Sequence, residues 1–523
     1  MPDTIPGLLV AAADRDPEGV WLRTDDGQLT FAGAAGHVAR VAGHLRATGV
    51  RHGDLVVVTA RNTAPYLLCL LAISAIGAIA VPTNPESAPA ELAGLVGQVR
   101  PRLLISDRSL ASLVEEAGVG TAPELGLLDV DEIVGGWGEA PSPEEGPLRV
   151  DVGPDDLAVL IPTSGTTGRS KLVMQTHRAY AMAGEGFPYW MELTRDDRLM
   201  TSLPLFHINA PAYSVMGSLA CGAGLVLLPR FSASGFLDSA RRHGATEFNA
   251  IGAMLEILMR QPERPDDADT DLRLCYTGPS PAREWQEAFE RRFGLRIVCG
   301  YAMSESPYGL IWPHGSRPYG TLGTPRQHPT LGRVNEARVV DDDGRELGAR
   351  DTGELLLRNP VLTPGYWEMP EVTAQTIVDG WLHTGDVVTA NADGTYTFVS
   401  RKKDVLRRRG ENLSPAEVED AILAHPDVLE CVVVGVPSDL SEEEVKAFVV
   451  PAPGRDLDFA ELRDWTAGRL AAFKVPRFWQ ALDALPRTPT ARVAKHRLPT
   501  GHPPGEYDVE SAAVGGSRPQ DGP

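Results

Sequence analysis

The segment Thr163-Ser-Gly-Thr-Thr-Gly-Arg-Ser-Lys171 directly follows the apolar run Leu157–Ile161, which has the composition of a buried strand. Its two glycines allow the backbone to turn its amides inward, and the side chains of Ser164, Thr166 and Thr167 add hydroxyl donors. It is not a Walker A loop, in which the lysine directly follows the second glycine. The segment therefore predicts a phosphate-binding loop at the end of a strand.

Short β-branched runs alternate with longer helical stretches up to about residue 400, and this alternation predicts an α/β fold. The runs include Val56–Thr59, Leu103–Ile105 and Leu157–Ile161. With 523 residues the chain exceeds the roughly 250–300 residues at which a single core stops growing, so two or more domains are expected.

We predict a large, multi-layer N-terminal domain over residues 1–399 and a small α+β C-terminal domain over residues 400–500. The small domain is expected to contain two helices and two strands, at Pro415–Ala424, Cys431–Val436, Lys446–Val450 and Phe459–Phe473. Residues 501–523 are rich in Gly, Pro, Ser and Asp, and we expect them to form a disordered tail.

Bulk composition excludes several classes of protein. The formal charge of −21 argues against a nucleic-acid partner, because phosphate binding needs a dominant basic face. The apolar run Leu67–Val81 is shorter than the roughly 20 residues that span a bilayer, so it predicts a buried helix running into a core strand, without membrane insertion. No basic leader precedes the N-terminal apolar stretch, so export is not predicted. The five cysteines are scattered and odd in number, which argues against disulfides and a zinc site and favours the cytoplasm.

The phosphate loop resembles the signature of the adenylate-forming superfamily of acyl-CoA synthetases, peptide-synthetase adenylation domains and luciferases, which reads close to TSGTTGxPKG. Ser170 and Leu172 depart from that signature only at its C-terminal edge. The resemblance implies a large domain and a small, mobile domain joined by a hinge. It also implies that the nucleotide phosphates are held by Thr163, Ser164, Gly165, Thr166, Thr167 and Lys171.

Further segments resemble the family motifs in the family order. Leu203-Pro-Leu-Phe-His207 is similar to the segment whose histidine lies beside the acyl carboxylate, which makes His207 a candidate catalytic residue. Tyr276-Thr-Gly-Pro-Ser280 resembles the loop along the adenine. By this resemblance, Gly278, Pro279 and Ser280 of that loop bind the nucleotide.

Gly300-Tyr-Ala-Met-Ser-Glu305 resembles the YGxTE motif. The resemblance implies that Tyr301 stacks on adenine, that Ser304 bonds the phosphate, and that Glu305 is a catalytic residue and the Mg²⁺ ligand. A carboxylate suits this task because Mg²⁺ is a hard cation bound by carboxylates and phosphate oxygens. Cys299 stands where the family often has an adenine-binding amide or acid, so nucleotide recognition is expected to be weaker than usual.

The end of the predicted large domain also carries family motifs, Gly353–Arg358 and Gly365-Tyr-Trp367. Trp381-Leu-His-Thr-Gly-Asp386 is similar to the TGD motif, in which Asp386 accepts both ribose hydroxyls. A plain turn is the alternative interpretation of Thr384-Gly-Asp386 alone.

The segment that follows resembles the family hinge. By this resemblance Arg401 reaches the ribose, Lys403 is the pivot of the hinge, and Gly410 lines the pantetheine tunnel. The run Arg407-Arg-Arg409 beside that glycine is either a local positive charge for the CoA phosphates or a solvated surface.

Leu485-Pro-Arg-Thr-Pro-Thr-Ala-Arg-Val-Ala-Lys495 resembles the last family motif, LPRTxxGKxxK, but places Arg492 at the catalytic lysine. Arginine keeps the charge and changes the geometry, and a misplacement of about 1 Å can cost on the order of a hundredfold in rate. The main hypothesis is therefore an acyl-CoA ligase that transfers an acyl group from acyl-adenylate to CoA, with adenylation from ATP impaired or absent. The alternatives are a complete two-step ligase and a non-catalytic relic that binds AMP or an acyl ligand.

The cofactors implied by the resemblance are ATP or AMP, CoA and Mg²⁺. The expected partners are a small carboxylic acid or its acyl-adenylate and, under the main hypothesis, a separate adenylating enzyme, for a monomer or homodimer. Small residues are the candidates for an acyl pocket with room for a bulky, branched or polycyclic acid, namely Ala210, Gly252, Ala253, Thr277 and Ala302.

Overall fold

The computed structural model describes residues 2–137, 147–163, 170–278, 280–402, 406–408, 411–437, 443–470, 474–487, 493–499 and 505–509. The chain divides into two compact units that share its middle part. Unit 1 consists of Met1–Arg338, Leu356–His383 and Ala390–Thr397, and unit 2 consists of Val339–Leu355, Thr384–Thr389 and Phe398–Pro523. The chain therefore passes repeatedly between the units, and the domain boundary placed between residues 399 and 400 stays a prediction.

Two sheets form the framework of unit 1. Their strands are β1 (Val20–Thr24), β2 (Gly27–Thr30), β3 (Leu55–Thr59), β4 (Ile79–Thr83), β5 (Leu103–Ser106), β6 (Leu127–Asp129), β7 (Leu157–Thr163), β8 (Lys171–Thr176), β9 (Arg198–Thr201), β10 (Gly224–Leu227), β11 (Glu247–Asn249), β12 (Leu274–Thr277), β13 (Arg296–Met303), β14 (Ser306–Ile311) and β15 (Thr324–Pro325). The nine-stranded sheet has the order β15-β14-β13-β12-β11-β9-β10-β1-β2, and the six-stranded sheet has the order β6-β5-β3-β4-β7-β8. Central strands of both sheets are parallel, and β7 and β8 are antiparallel.

Helices alternate with these strands, which confirms the α/β prediction. They are α1 (Ile5–Arg15), α2 (Phe31–Thr48), α3 (Ala64–Ala75), α4 (Pro89–Val99), α5 (Ala111–Glu116), α6 (Val130–Val134), α7 (His177–Met191), α8 (Met216–Cys221), α9 (Phe236–His243), α10 (Gly252–Met259) and α11 (Arg283–Phe293). Nearly all of α3 is buried and the chain continues into β4, as predicted for Leu67–Val81. Among the described residues, every helix is too short or too polar to span a bilayer.

The three apolar runs identified in the sequence lie in one sheet. Val56–Thr59, Leu103–Ile105 and Leu157–Ile161 fall within β3, β5 and β7. Such continuous runs are expected because parallel strands are covered on both faces. In open α/β sheets, ligands bind outside the carboxyl ends of the strands. The phosphate loop follows β7, and the His207 and Gly278 segments follow β9 and β12, so both sheets present predicted site residues at this edge.

The remaining elements follow from residue 336 onward. They are β16 (Glu336–Val340), β17 (Thr352–Arg358), α12 (Pro370–Thr376), β18 (Ile377–Val378), β19 (Trp381–Ala390), β20 (Tyr396–Arg401), β21 (Leu406–Arg408), β22 (Glu411–Leu413), α13 (Pro415–Leu423), β23 (Val428–Pro437), β24 (Glu443–Pro451), α14 (Phe459–Ala467), β25 (Phe478–Ala481) and β26 (Tyr507–Asp508). In unit 2, the last four strands form one sheet in the order β23-β24-β25-β26. Val433 and Ala447 belong to one apolar cluster and Val432 and Phe448 to another, so both faces of this sheet are covered.

Two predictions for the C-terminal part need correction. The described helix α14 ends at Ala467, where Gly468 forms its C-cap, and does not extend to residue 473 as predicted. Within the tail predicted to be disordered, Tyr507 and Asp508 form β26, which pairs with β25. The glycine-rich and proline-rich composition concealed this strand, which is held by the ring of Tyr507 against Phe459, with centroids 6.0 Å apart, and by an ion pair between Glu506 and the buried Lys446.

Candidate active site

The two ends of the phosphate loop are fixed by the β7–β8 hairpin. Thr163 lies opposite Lys171, and its hydroxyl donates to the carbonyl oxygen of Lys171 over 3.2 Å. The carbonyl oxygen of Ser170 accepts a hydrogen bond of 3.0 Å from the Gln98 side chain. The loop residues Ser164, Gly165, Thr166 and Thr167 lie outside the described residues. Pairing of the flanking strands thus brings Thr163 and Lys171 together at the two ends of the loop.

Ser304 and Glu305 form the two-residue turn between β13 and β14. The turn is tied to the strand that follows the phosphate loop, because the Gln175 side chain on β8 donates to the carbonyl oxygen of Ser304 over 2.5 Å. On the other side, the amide of Thr363 donates to the carbonyl oxygen of Glu305 over 2.7 Å. The predicted Mg²⁺ ligand and phosphate-binding serine therefore lie on a fixed turn beside the loop.

Tyr366 is a site residue that sequence reasoning missed. Its backbone forms a bridge with Val173 on β8, and the next amide, of Trp367, donates to the carbonyl oxygen of Leu172 over 2.9 Å. Its hydroxyl donates to Oε1 of Glu305 over 2.8 Å, and its ring centroid lies 5.1 Å from Nζ of Lys171. Burial raises the pKa of Tyr366, which keeps the hydroxyl a proton donor. The Gly365-Tyr-Trp367 motif was recognised, but nothing in it indicated a partner 61 residues away.

Arg326 is a second residue that the sequence did not single out. It is fully buried, and its guanidinium donates to the carbonyl oxygens of Pro307 at 2.9 Å and Leu310 at 3.2 Å. It also donates to the hydroxyl of Tyr213 at 2.7 Å and lies 4.5 Å from the Trp190 ring. This cation therefore fixes β14 immediately after the Ser304–Glu305 turn.

The nucleotide motifs approach one another closely. A Cβ atom added to Gly278 would lie 2.3 Å from the carbonyl oxygen of Gly300, so only glycine fits at position 278. Gly300 directly precedes Tyr301, so the two motifs are in contact here. The hydroxyl of Ser280 accepts a hydrogen bond of 3.1 Å from the amide of Gly320. Pro279 lies outside the described residues. Burial raises the pKa of the Cys299 thiol to about 12, so this side chain is neutral where the family often has an amide or acid.

His207 lies on the loop between β9 and a π-helical turn over Ala210–Val215. Its amide donates to the carbonyl oxygen of Pro204 over 3.2 Å, and its half-buried ring lies 4.5 Å from that of Phe206. Of the predicted pocket residues, Ala210 and Thr277 are buried, and Gly252, the first residue of α10, has open space around its Cβ position among the described atoms.

Asp386 and Arg401 lie together in unit 2. Asp386 is fully buried, and its Oδ1 lies 2.5 Å from Nε of Arg401. The Thr384-Gly-Asp386 segment is not a plain turn, because it lies inside the long strand β19, with Gly385 at a φ of +69°. The Thr384 hydroxyl donates to the carbonyl oxygen of Leu355 over 2.7 Å. The two residues predicted to bind the ribose are therefore neighbours, with the carboxylate held by a cation.

Three predicted residues, Lys403, Gly410 and Arg492, lie outside the described residues. The arginine run beside Gly410 is described in part. Arg408 is buried, 2.6 Å from the carboxylate of Glu444, and it donates to the carbonyl oxygen of Val475 over 2.8 Å. Its charge is therefore neutralised inside unit 2, so for this arginine neither of the two alternatives, a contact with the CoA phosphates or a solvated surface, agrees with the structure.

Comparison with known proteins identifies similarity over nearly the whole chain. The AMP-binding enzyme family matches residues 9–367, and the AMP-binding enzyme C-terminal domain matches residues 417–492. The crotonobetaine/carnitine–CoA ligase of Salmonella paratyphi A is 32% identical, over 90% of this chain and 93% of that protein. The ligase of the same name from Salmonella typhi is equally similar, at 32% identity over the same shares.

Solved structures resemble the chain to a similar extent. ATP-bound MatB from Rhodopseudomonas palustris has a TM-score of 0.83 and 27% identity, over 95% of this chain and 98% of that one. The o-succinylbenzoate CoA synthetase MenE from Bacillus subtilis, in complex with the acyl-adenylate OSB-AMP, has a TM-score of 0.84 and 26% identity, over 96% and 99% of the two chains.

Proposed function

The chain belongs to the AMP-binding enzyme family and is an acyl-CoA synthetase-type ligase, and from this premise we propose that it is a complete, ATP-dependent carboxylate–CoA ligase. In the first half reaction, a carboxylate oxygen attacks the α-phosphorus of ATP, the bond to pyrophosphate breaks, and an acyl-adenylate forms. In the second, the CoA thiolate attacks the acyl carbon, the bond to AMP breaks, and acyl-CoA is released.

The hypothesis that adenylation is impaired receives no support from the comparisons. The relatives that match nearly the whole chain are named CoA ligases, the similar MatB structure holds ATP, and the similar MenE structure holds an acyl-adenylate. These findings favour the two-step alternative. Arg492 keeps the positive charge of the lysine that it replaces. We propose that it neutralises the carboxylate and phosphate brought together in the first half reaction.

The observation that carries the proposal is the convergence of Lys171, Glu305 and Tyr366 at the mouth of the phosphate loop. Lys171 offers a point charge to a nucleotide phosphate, and the turn at Ser304 adds a hydroxyl donor beside it. These groups belong to elements that pair directly with one another, so little reorganisation is needed when charge develops on the phosphorus.

The residues present fit a bound Mg²⁺ ion. Mg²⁺ is held in nucleotide sites by one or two carboxylates together with phosphate oxygens, and the half-buried Glu305 supplies such a carboxylate next to the loop. When bound, the ion would neutralise charge on the phosphates. Tyr366 holds Oε1 of this carboxylate in one orientation, and the aligned group is what a metal ligand requires.

In the second half reaction we assign Asp386 and Arg401 to the ribose and Gly410 to the pantetheine path, with Lys403 as the hinge. The buried position of Asp386 supports this assignment, because a carboxylate with two acceptor oxygens can engage both ribose hydroxyls. The acid is proposed to be a bulky, branched or polycyclic one, and crotonobetaine and carnitine are the first candidates to test because they appear in the names of the relatives.

Parallel assays test this function. Acyl-CoA is measured by mass spectrometry from free acid plus ATP and CoA, and from preformed acyl-adenylate plus CoA, while pyrophosphate release is followed separately. The panel contains crotonobetaine, carnitine, o-succinylbenzoate and several branched and polycyclic acids. We expect acyl-CoA and pyrophosphate from free acid, and little gain from Arg492→Lys. If the wild type formed acyl-CoA only from preformed acyl-adenylate, and Arg492→Lys restored adenylation from ATP, the result would support the impaired-adenylation hypothesis instead.

A further inference from the structure

Asn62 connects the two sheets of unit 1 at their carboxyl ends. It lies in the loop after β3 of the six-stranded sheet, and its side chain contacts the loop after β9 of the nine-stranded sheet. Nδ2 donates to the carbonyl oxygen of Leu203 over 2.8 Å, and Oδ1 accepts from the amide of Leu205 over 3.0 Å. One amide therefore holds the backbone on both sides of Pro204, 141 residues along the chain.

These contacts are buried, so they cannot be replaced by water at little cost. Asn62 is 8% exposed, Leu203 is 5% exposed and Leu205 is 1% exposed. Pro204 has no N–H group, and the amide of Leu203 is already bonded to the Thr201 hydroxyl at 3.2 Å. Without Asn62, a buried carbonyl and a buried amide of this loop would lose the partners described above, and the loop would shift to satisfy them.

The loop held in this way leads directly to His207. The amide of His207 bonds back to the carbonyl oxygen of Pro204, the residue that Asn62 brackets. A displacement at Leu203 or Leu205 is thus passed to the histidine through a single tight turn.

We propose that Asn62 is a positioning residue for His207, aligning it with the acyl carboxylate from the opposite sheet. The inference rests on the proposed function, in which His207 lies beside that carboxylate. It concerns the acid and not the nucleotide, since the phosphate loop and the Ser304–Glu305 turn are anchored by other contacts. Misplacement of a reacting group by about 1 Å costs on the order of a hundredfold in rate.

A double-mutant cycle tests the proposal. ATP–pyrophosphate exchange is measured with the acid of the panel that gives the highest turnover, for Asn62→Asp, Asn62→Ala, His207→Ala and the double variants. Asn62→Asp keeps the shape and the acceptor for Leu205 but loses the donor to Leu203. The matched control is Asn84→Ala, which removes a half-buried asparagine that caps its own turn after β4 by accepting a hydrogen bond of 2.9 Å from the amide of Glu86.

We expect both Asn62 variants to lower kcat/KM for the acid by about a hundredfold while KM for ATP and the control stay unchanged. In the His207→Ala background the same substitutions should cost less than about threefold, because the positioned group is gone. Additive losses, or a rise in KM for ATP, would overturn the positioning role of Asn62 and leave the proposed function standing. Wild-type kinetics in His207→Ala would overturn the role of His207 and with it the positioning. If Asn62→Ala does not fold, Asn62→Asp decides.

Discussion

Replacement of Tyr366 by phenylalanine isolates one hydrogen bond at the centre of the candidate site. Tyr366→Phe keeps a ring that is 5% exposed and keeps its 5.1 Å contact with Lys171, but it removes the 2.8 Å hydrogen bond to Glu305. A hydrogen bond to a charged group is worth about 1.5–3 kcal/mol. At about 1.4 kcal/mol for each factor of ten, its loss predicts a ten- to hundredfold fall in kcat/KM for adenylation.

The assay separates this effect from a general loss of structure. ATP–pyrophosphate exchange is measured across a range of Mg²⁺ concentrations, and thioesterification is measured from preformed acyl-adenylate, which no longer needs the metal carboxylate. We expect a higher Mg²⁺ requirement and slower exchange, with thioesterification unchanged. Tyr189→Phe, at a tyrosine that is 44% exposed, is the control. Equal losses in both half reactions, or an unchanged Mg²⁺ dependence, would refute the assignment of Tyr366 to Glu305.

Three further predictions concern glycine packing and buried titratable groups. Gly278→Ala places a Cβ atom 2.3 Å from the carbonyl oxygen of Gly300, so KM for ATP should rise about tenfold or more, whereas Gly43→Ala, in open space among the described atoms, should leave it unchanged in the same exchange assay. Burial lowers the pKa of His177 to about 4, so the unfolded state binds the extra proton. The free energy of unfolding should therefore fall by about 3 kcal/mol in total as the pH drops from 6.5 to 4, and urea denaturation of His177→Phe should lack that part of the slope. Burial raises the pKa of Glu247 well above its ordinary value, so the contribution of this group to stability is greatest below pH 4.5 and falls as the pH rises above it. Glu247→Met should be more stable than the wild type by about 1–3 kcal/mol at pH 8, with a smaller difference at pH 5, and equal stabilities at pH 8 would contradict the raised pKa.

The sequence predicted what local pattern determines. The apolar runs in β3, β5 and β7 were readable because parallel strands covered on both faces need unbroken β-branched stretches. The phosphate loop was readable because a backbone that wraps oxyanions needs glycine and hydroxyl residues at close spacing. Small errors came from composition, as in the short strand Tyr507–Asp508, which lies in a tail rich in glycine and proline.

Long-range partners were not readable. Nothing in the neighbourhood of Glu305 indicates that the hydroxyl of Tyr366 will reach it, and nothing near His207 indicates the amide of Asn62. The charge of Arg408 was equally ambiguous, because a basic run gives the same pattern on a surface and in an ion pair with Glu444. Such contacts depend on how distant segments of the chain are placed in space, and the periodicity of a single sequence carries no information about that placement.

The repeated passage of the chain between the two units affects how the protein can be made. Val339–Leu355 and Thr384–Thr389 leave the ribosome before Phe398 and the residues after it, yet they belong to the same unit. They must wait for partners that are synthesised last, while unit 1 is already complete up to Arg338. A fragment that stops after Thr397 would contain these two segments, including Asp386, without the rest of unit 2. Expressed as two halves divided at residue 400, the gene would keep all segments of unit 1 on the first half but would divide unit 2 between the two halves.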